Sequence, residues 1–506
     1  TRHPPTADTH MEGSYVVSLA FSRPRQLSLH LPALNGVGLL TGVLYLVFFA
    51  FGFASFTDPD YWWHLRTGEI IVDTLSVPRH DTYSFTAAGA GLLNHQWLSE
   101  ALIYISVNSF GYAVTLGFFI ALTLASFGLM QRLLLRLGTP PMIALGLVGL
   151  GMLISAPFWT VRPQLLSWFL LAVFINVLID RDRPAWMLVP VLVLWANLHL
   201  GFLLGLGIVG LWFLSRAWEA RSGQIRFAVW PAVAFVGACV AATLLNANGP
   251  RPLLQILEYL PLTSSDVSVQ GISELQSPDF GQGIHLPLLA GILVLVGVTL
   301  AGRVRDRFAV LLAIAFTAMA LQTIRFQPLF ALAFLPAAGL AATQLLSHRK
   351  REGEAPRSFV NWSLVAIAAV AVLIAIPLLP GAQTGRQANT DGRTFYPAQS
   401  LAWVQENVPD ANVFTTHMWG GYFIHGLDPE GHVYIDGRSS MYGPERFESY
   451  RTIINANEGW QAELEGSGAN VVIVGQTEKV ASALVDAEGW RLILEEPGEA
   501  LFVRDP

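Results

Sequence analysis

Charge-free apolar runs recur near 36 to 56, 112 to 131, 141 to 158, 164 to 179, 185 to 197, 200 to 215, 228 to 246, 285 to 302, 308 to 323, 327 to 346 and 359 to 380. A helix needs about 20 apolar residues to cross the hydrocarbon of a bilayer, so the pattern predicts about eleven spans. The runs near 164 and 185 are short. From Gly381 the pattern changes to short β-rich runs, Val413 to Thr416, Val433 to Ile435, Val471 to Val474 and Leu492 to Leu494. Between them, Tyr396 to Glu406, Pro444 to Ile453, Gly459 to Glu465 and Lys479 to Glu488 place apolar residues at helical spacing. That alternation predicts a small α/β domain. The expected organisation is an N-terminal cytoplasmic segment 1–35, a polytopic α-helical membrane region 36–380 with external loops 57–111 and 247–284, and a C-terminal extracytoplasmic α/β domain 381–506.

Composition agrees: 53% of the residues are hydrophobic and 13% charged, against about 25% charged in an ordinary soluble domain. The single cysteine, Cys239, excludes a disulfide framework and a cysteine metal site. A formal net charge of −6 gives no basic face for nucleic acid. With the N-terminus inside, Arg23, Arg25, Arg132, Arg136, Arg181, Arg183, Arg216, Arg221, Arg226, Arg303, Arg305, Arg307, Arg349, Lys350 and Arg351 all fall on the cytoplasmic side. Positive charge is retained there during insertion, which predicts a multi-pass protein of a bacterial inner membrane with its C-terminal domain outside.

The first external loop opens on Thr57-Asp58-Pro59-Asp60-Tyr61-Trp62-Trp63-His64-Leu65-Arg66. Asp58 has the position of a cap for a helix beginning at Pro59, with Trp62 and Trp63 as interfacial anchors. Asp60 needs no such duty and falls one turn before His64, the placement of a general base near the lipid surface. The loop ends on Asn94-His95-Gln96-Trp97-Leu98-Ser99-Glu100, a cap and an amphipathic helix. His95 and Glu100 either satisfy each other or line an acceptor or metal site beside Asp60. Asp and His with water can hold a divalent cation, and no spacing here specifies one. Arg162, Arg251 and Arg325 sit on the side that disfavours positive charge, either as interfacial anchors or as partners of a phosphate headgroup. His199 lies at an outer helix end, with a structural or a phosphate-binding role. Glu274 and Asp279, in Ser273-Glu-Leu-Gln-Ser-Pro-Asp279-Phe280, are acidic candidates on the acceptor side, and turn formation explains Asp279 equally well.

Asp58-Pro-Asp60-Tyr-Trp-Trp-His64, His95-Gln-Trp-Leu-Ser-Glu100, Arg162-Pro-Gln164, Ser277-Pro-Asp279-Phe, Trp419-Gly-Gly-Tyr422 and Tyr434-Ile-Asp-Gly-Arg438 resemble a bacterial family of membrane proteins of the GT-C superfamily. That superfamily includes the protein O-mannosyltransferases and oligosaccharyltransferases. The resemblance implies sugar transfer with inversion from a polyprenyl-phosphate donor, Asp60 activating the acceptor. Relatives tend to carry Glu where this chain has Gln96, so Glu100 would have to supply that carboxylate. A second reading makes the chain a non-catalytic scaffold subunit whose outer domain docks a protein partner. A transporter is disfavoured, because no repeated halves and no mid-span charges are visible.

Overall fold

Each apolar run that the sequence marks becomes a helix, because within a bilayer a helix satisfies its own backbone polar groups. The computed structural model describes residues 34–54, 58–180, 184–254, 273–302, 304–346, 358–379 and 396–505. The segment 1–33, Arg181, Arg183, Arg303, Arg349, Lys350 and Arg351, on which part of the charge bias rests, lie outside the described residues. The apolar helices are α1 (Gly36–Phe51), α4 (Tyr112–Arg136), α5 (Pro141–Ser155), α6 (Gln164–Ile179), α7 (Leu188–Leu198), α8 (Phe202–Arg221), α9 (Val229–Thr243), α10 (Leu286–Ala301), α11 (Arg307–Gln322), α12 (Gln327–Ala333), α13 (Leu335–Leu346) and α14 (Ser358–Ala375). Among the described residues six segments are long and apolar enough to cross a membrane: Gly36–Ala54, Tyr112–Arg136, Pro141–Phe158, Phe202–Arg221, Gly283–Ala301 and Ile324–Leu346. The other five apolar helices have 10–17 residues, so six segments and not the expected eleven have the length of a full span among the described residues.

α6 is apolar on all sides and mostly buried, packed by α4, α7, α8 and α12, as a helix at the centre of a bundle must be. Close packing replaces the hydrophobic drive that lipid cannot supply. At Gly151 of α5 a Cβ would stand 2.8 Å from the Ala331 carbonyl oxygen of α12 and 2.9 Å from the Phe127 ring. Outer helices do the reverse: α1 and α14 pack on each other and leave Leu40, Val47, Val360, Ile367 and Leu373 exposed.

One end of the bundle collects basic residues. Arg136 at the end of α4 pairs with Asp180 just after α6 at 3.5 Å, and Arg307 at the start of α11 stacks over Trp218 near the end of α8 at 4.5 Å. The opposite end carries two loop helices, α2 (Tyr61–Thr74) and α3 (Trp97–Phe110), which pack along each other.

The C-terminal residues build a sheet of order β2-β1-β3-β5-β4 from β1 (Asn412–Thr415), β2 (His432–Val433), β3 (Val471–Val474), β4 (Trp490–Glu496) and β5 (Glu499–Arg504). β1 runs parallel to β2 and β3, whereas β5 is antiparallel to β3 and β4. All four residues of β3 are buried, and alternate ones face different cores. Val472 and Val474 face a core with α17 (Gly443–Ile454), α18 (Trp460–Ser467) and α19 (Lys479–Val485), while Val471 and Ile473 face α15 (Ala398–Asn407) and α16 (Gly420–Leu427). The second core also takes in Trp63 and Tyr83 of the first loop. A parallel strand buried on both faces explains why this run lacks polar alternation. Neither β5 nor α16 was marked by the pattern.

Candidate functional site

The first loop enters its helix later than its Pro suggests. α2 starts at Tyr61 rather than Pro59, and Asp58 accepts from the backbone N–H of Asp60 at 2.9 Å, closing a turn ahead of the helix. Asp60 takes the cap position, yet its carboxylate caps nothing. One oxygen, Oδ1, accepts from Trp63 Nε1 at 3.1 Å, and the other, Oδ2, meets Arg162 Nη2 at 2.7 Å. Arg162 sits in a tight turn before α6, between the fully buried Val161 and the helix, with Trp159 buried just behind. Its Nε contacts Asp58 Oδ2 at 2.5 Å and its Nη1 contacts Glu274 Oε1 at 2.5 Å. Three carboxylates from two separate loops therefore converge on one guanidinium, whose side chain is 12% exposed.

Burial would raise both aspartates, and the neighbourhood splits them. Asp58 is pushed up by burial, with Arg162 opposing and Asp60 and Glu274 adding to the rise. Asp60 is held below its ordinary value despite burial, by Arg162, His64, the Trp63 N–H and His417. The Arg162 pKa rises, its three carboxylate partners outweighing burial.

C-terminal residues complete the surroundings of Asp60. Gly437 lies so close that a Cβ there would overlap Asp60 Oδ1, and a Cβ at Gly421 would approach the Pro59 carbonyl oxygen to 2.7 Å. His417 shares Ser439 Oγ at 3.3 Å. The loop carrying Gly437 is locked on both sides: Arg438 bonds Asp436 at 2.6 and 2.8 Å and Asp81 of the first loop at 2.6 Å, Tyr442 donates to Asp436, and the Tyr83 ring stacks on the guanidinium at 4.7 Å. Ser84 bridges Val433 in parallel, so residues of the first loop extend the sheet beyond β2. Trp62 is turned into the protein. It packs on Tyr396, Tyr422 and His425 of the C-terminal layer, at 5.4, 5.1 and 5.4 Å. Arg66 pairs with Asp428 at 2.8 Å. The Trp419-Gly-Gly-Tyr422 motif is thus largely consumed within the chain, with Gly420, Gly421 and Tyr422 buried.

The remaining candidates divide into two groups. His64 does not face Asp60 as a helix-turn partner: its Nδ1 meets the wholly buried Glu100 at 3.0 Å, and Asn94 Nδ2 donates to the other Glu100 oxygen at 2.6 Å. Glu100 therefore ties α3 to α2, satisfied by His64 and not by His95. Gln96 reaches His64 Nδ1 at 3.5 Å. His95 faces His199 instead, ring centres 6.3 Å apart. His95 Nδ1 donates to the Leu93 carbonyl at 3.3 Å, which leaves Nε2 as an acceptor. His199 Nδ1 accepts from the Gly201 N–H at 3.0 Å and from Ser167 at 2.8 Å, while Ser167 accepts from Trp195 Nε1 at 2.7 Å. A neutral His199 then carries its proton on Nε2. Both rings are neutral at pH 7, because burial lowers His95 to about 4 and His199 well below 6.5, with Arg325 adding to both shifts. Arg325, in the helical turn Ile324–Phe326, is exposed and pairs with no carboxylate among the described residues. That turn is bonded to the second loop, Ile324 N–H to the Gln276 carbonyl at 2.8 Å. Asp279 is spent in its own turn, accepting from Gly281 at 2.9 Å and Gln282 at 3.2 Å. Arg162 is engaged by three carboxylates, which compete with the phosphate contact expected of it.

Sequence reasoning missed Ser167 and His417, gave Trp63 only an anchoring role and marked Gly437 only as part of a motif. None carries a local signal of its role; each matters through a residue far away in the chain.

No family model and no curated protein sequence matches the chain. Solved structures do. The arabinofuranosyltransferase AftD from mycobacteria aligns over 94% of this chain and 40% of its own, at 14% identity and a TM-score of 0.52. The oligosaccharyltransferase AglB of Archaeoglobus fulgidus, solved with an inhibitory peptide and a dolichol-phosphate, aligns over 86% of this chain and 69% of its own, at 11% identity and a TM-score of 0.53. This chain spans well under half the length of the arabinofuranosyltransferase. It is a polytopic helical membrane protein that shares the fold of these two structures.

Proposed function

We propose, from the premise of a GT-C fold, that this protein transfers a sugar from a polyprenyl-phosphate donor to an acceptor outside the cytoplasm, with inversion and with Asp60 as general base. The observation that carries the reading is the placement of Asp60. It is 24% exposed, held by Trp63 and Arg162, and set at the end of the bundle where Arg325, His95 and His199 also lie. The acceptor oxygen attacks the anomeric carbon as the bond to the phosphate oxygen breaks, and the acceptor proton passes to Asp60. The polyprenyl phosphate leaves with the added negative charge. Arg325 and the Nε2–H of His199 are the donors suited to that charge, and the sugar-bearing carbon develops oxocarbenium character. A carboxylate held below its usual pKa stays ionised and accepts the proton late, and the upward shift of Asp58 separates the roles of the pair. Glu274 reaches the same guanidinium from the second loop and borders the acceptor side. The basic end of the bundle then lies in the cytoplasm of a bacterial inner membrane, and the C-terminal layer outside.

The paired variants Asp60→Asn and Asp58→Asn test this in lipid-reconstituted protein supplied with polyprenyl-phosphate sugars. Asp60→Asn loses about 100-fold or more in turnover with donor binding retained, as loss of a general base implies. Asn closes the same turn at position 58 as Asp does but gives up the charge paired with Arg162, so Asp58→Asn loses far less activity than Asp60→Asn. Equal turnover in wild type and Asp60→Asn removes the assignment. A wild type that turns over no donor but co-purifies with a stable partner instead favours a scaffold subunit of the same fold.

A further inference from the structure

Three carboxylates converging on one point form the donor set of a hard divalent cation. Here the point is already taken. Nε, Nη1 and Nη2 of Arg162 meet Asp58, Glu274 and Asp60 at 2.5, 2.5 and 2.7 Å. Among the described residues no three His, Cys, Asp or Glu side chains are spaced to hold a metal. The residues present do not fit a cation beside the guanidinium, since each carboxylate already spends an oxygen on it.

We propose that Arg162 is the resident cation of this site: it supplies the positive charge that holds the three carboxylates together, so they need no divalent metal, and removing the guanidinium lets Asp58, Asp60 and Glu274 close in on a divalent cation. The argument rests on geometry and charge. An unpaired cluster of three carboxylates this close would repel itself and draw in a counter-cation. A guanidinium supplies one that is always charged, planar and matched to several carboxylates at once. It is also immobile: the Arg162 backbone is fixed by its N–H to the Thr160 carbonyl at 3.0 Å and by its own carbonyl, which accepts from Leu165 at 3.2 Å. The carboxylates come from residues 58 and 60 of the first loop and 274 of the second, so one side chain gathers both loops at the head of α6. Arg162 is therefore a positioning residue: it sets where the Asp60 carboxylate stands and touches no reacting atom.

The test uses Mn2+ as the probe on the purified full chain, read by electron paramagnetic resonance in wild type, Arg162→Ala, Arg162→Lys and Arg162→Ala with Asp60→Asn. The proposal rests on the transferase reading only in its choice of site, and the two fail separately because Mn2+ binding needs no turnover. Arg162→Ala binds Mn2+ at least about tenfold more tightly than wild type, the double variant loses the gain, and Arg162→Lys, which keeps a cation, shows none. Chelation by EDTA leaves any wild-type turnover unchanged. If Arg162→Ala fails to fold without metal, Mn2+ restores its melting transition. Asp60-dependent Mn2+ binding by the wild type overturns the proposal, and so does an Arg162→Ala protein that neither gains Mn2+ nor is rescued by it.

Discussion

The substitution Gly437→Ala adds a single methyl group at the seam between the first loop and the C-terminal layer. Its Cβ would overlap Asp60 Oδ1 and come within 3.3 Å of Trp63 Nε1. Neither side can step back easily. Arg438 and Asp436, flanking the glycine, are buried and bonded to each other and to Asp81, and a Cβ at Gly421 would already press on Pro59. The backbone at Gly437 is not left-handed, so the effect is steric and not conformational. The Asp60 carboxylate must turn, giving up the Trp63 bond, worth about 1 kcal/mol, and weakening a charge-assisted bond worth about 1.5 to 3 kcal/mol. Overpacking in a closed seam costs about 1 to 3 kcal/mol by itself. A displacement near 1 Å of a catalytic group lowers rate by about 100-fold. The variant is therefore expected to retain a cooperative melt, with a midpoint lowered by a few degrees, while turnover of a polyprenyl-phosphate sugar falls by about two orders of magnitude. Gly466→Ala in α18 is the control, because open space surrounds it and alanine there stabilises a helix by about 0.5 to 1 kcal/mol. Wild-type turnover and an unshifted melt in Gly437→Ala would refute the reasoning that Asp60 is held in place from the C-terminal side.

Two further outcomes are expected. Arg325→Ala weakens binding of a polyprenyl-phosphate donor by about tenfold or more in a filter or fluorescence assay, and Arg325→Lys recovers little if the contact is bidentate; unchanged affinity in both would leave Arg325 an interfacial anchor. His95 is depressed from 6.5 to about 4, so between those values the unfolded chain binds the extra proton and stability falls as pH drops. The slope is at most about 1.4 kcal/mol per pH unit, and melting profiles of His95→Gln should lose that part of the pH dependence.

The membrane half of the fold was legible because its signal is local: a helix in lipid must be apolar over its own length, and every marked run is helical. Span number was less so. Run length does not distinguish a full crossing from a shorter helix enclosed by neighbours, as α6 and α7 show. The motifs around Asp58, Arg162, Glu274, Trp419 and Tyr434 were all visible, yet their pairing was not. Arg162 read as an interfacial anchor or a phosphate partner because an arginine on an outer loop is ambiguous until its partners are placed, and those lie over 100 residues away in either direction. Likewise His64 read as a neighbour of Asp60 from helical spacing, while its partner Glu100 sits on another helix. Spacing reports which residues share an element and says nothing about what an element packs against. The strand β5 and the Gly-rich α16 followed the same rule.

The sheet extension by the first loop has a consequence for biogenesis. Thr86 donates to the Tyr434 carbonyl across 348 positions of chain, and Arg438 reaches Asp81 across 357. A ribosome therefore emits the Asp58 to Glu100 segment long before its partners exist. Until residues near 437 have been made and delivered to the same side, Asp60 lacks one wall, Asp81 lacks its counter-ion, and the Trp62 ring lies open. In a nascent or prematurely terminated chain this site is therefore incomplete and its aromatic surface uncovered.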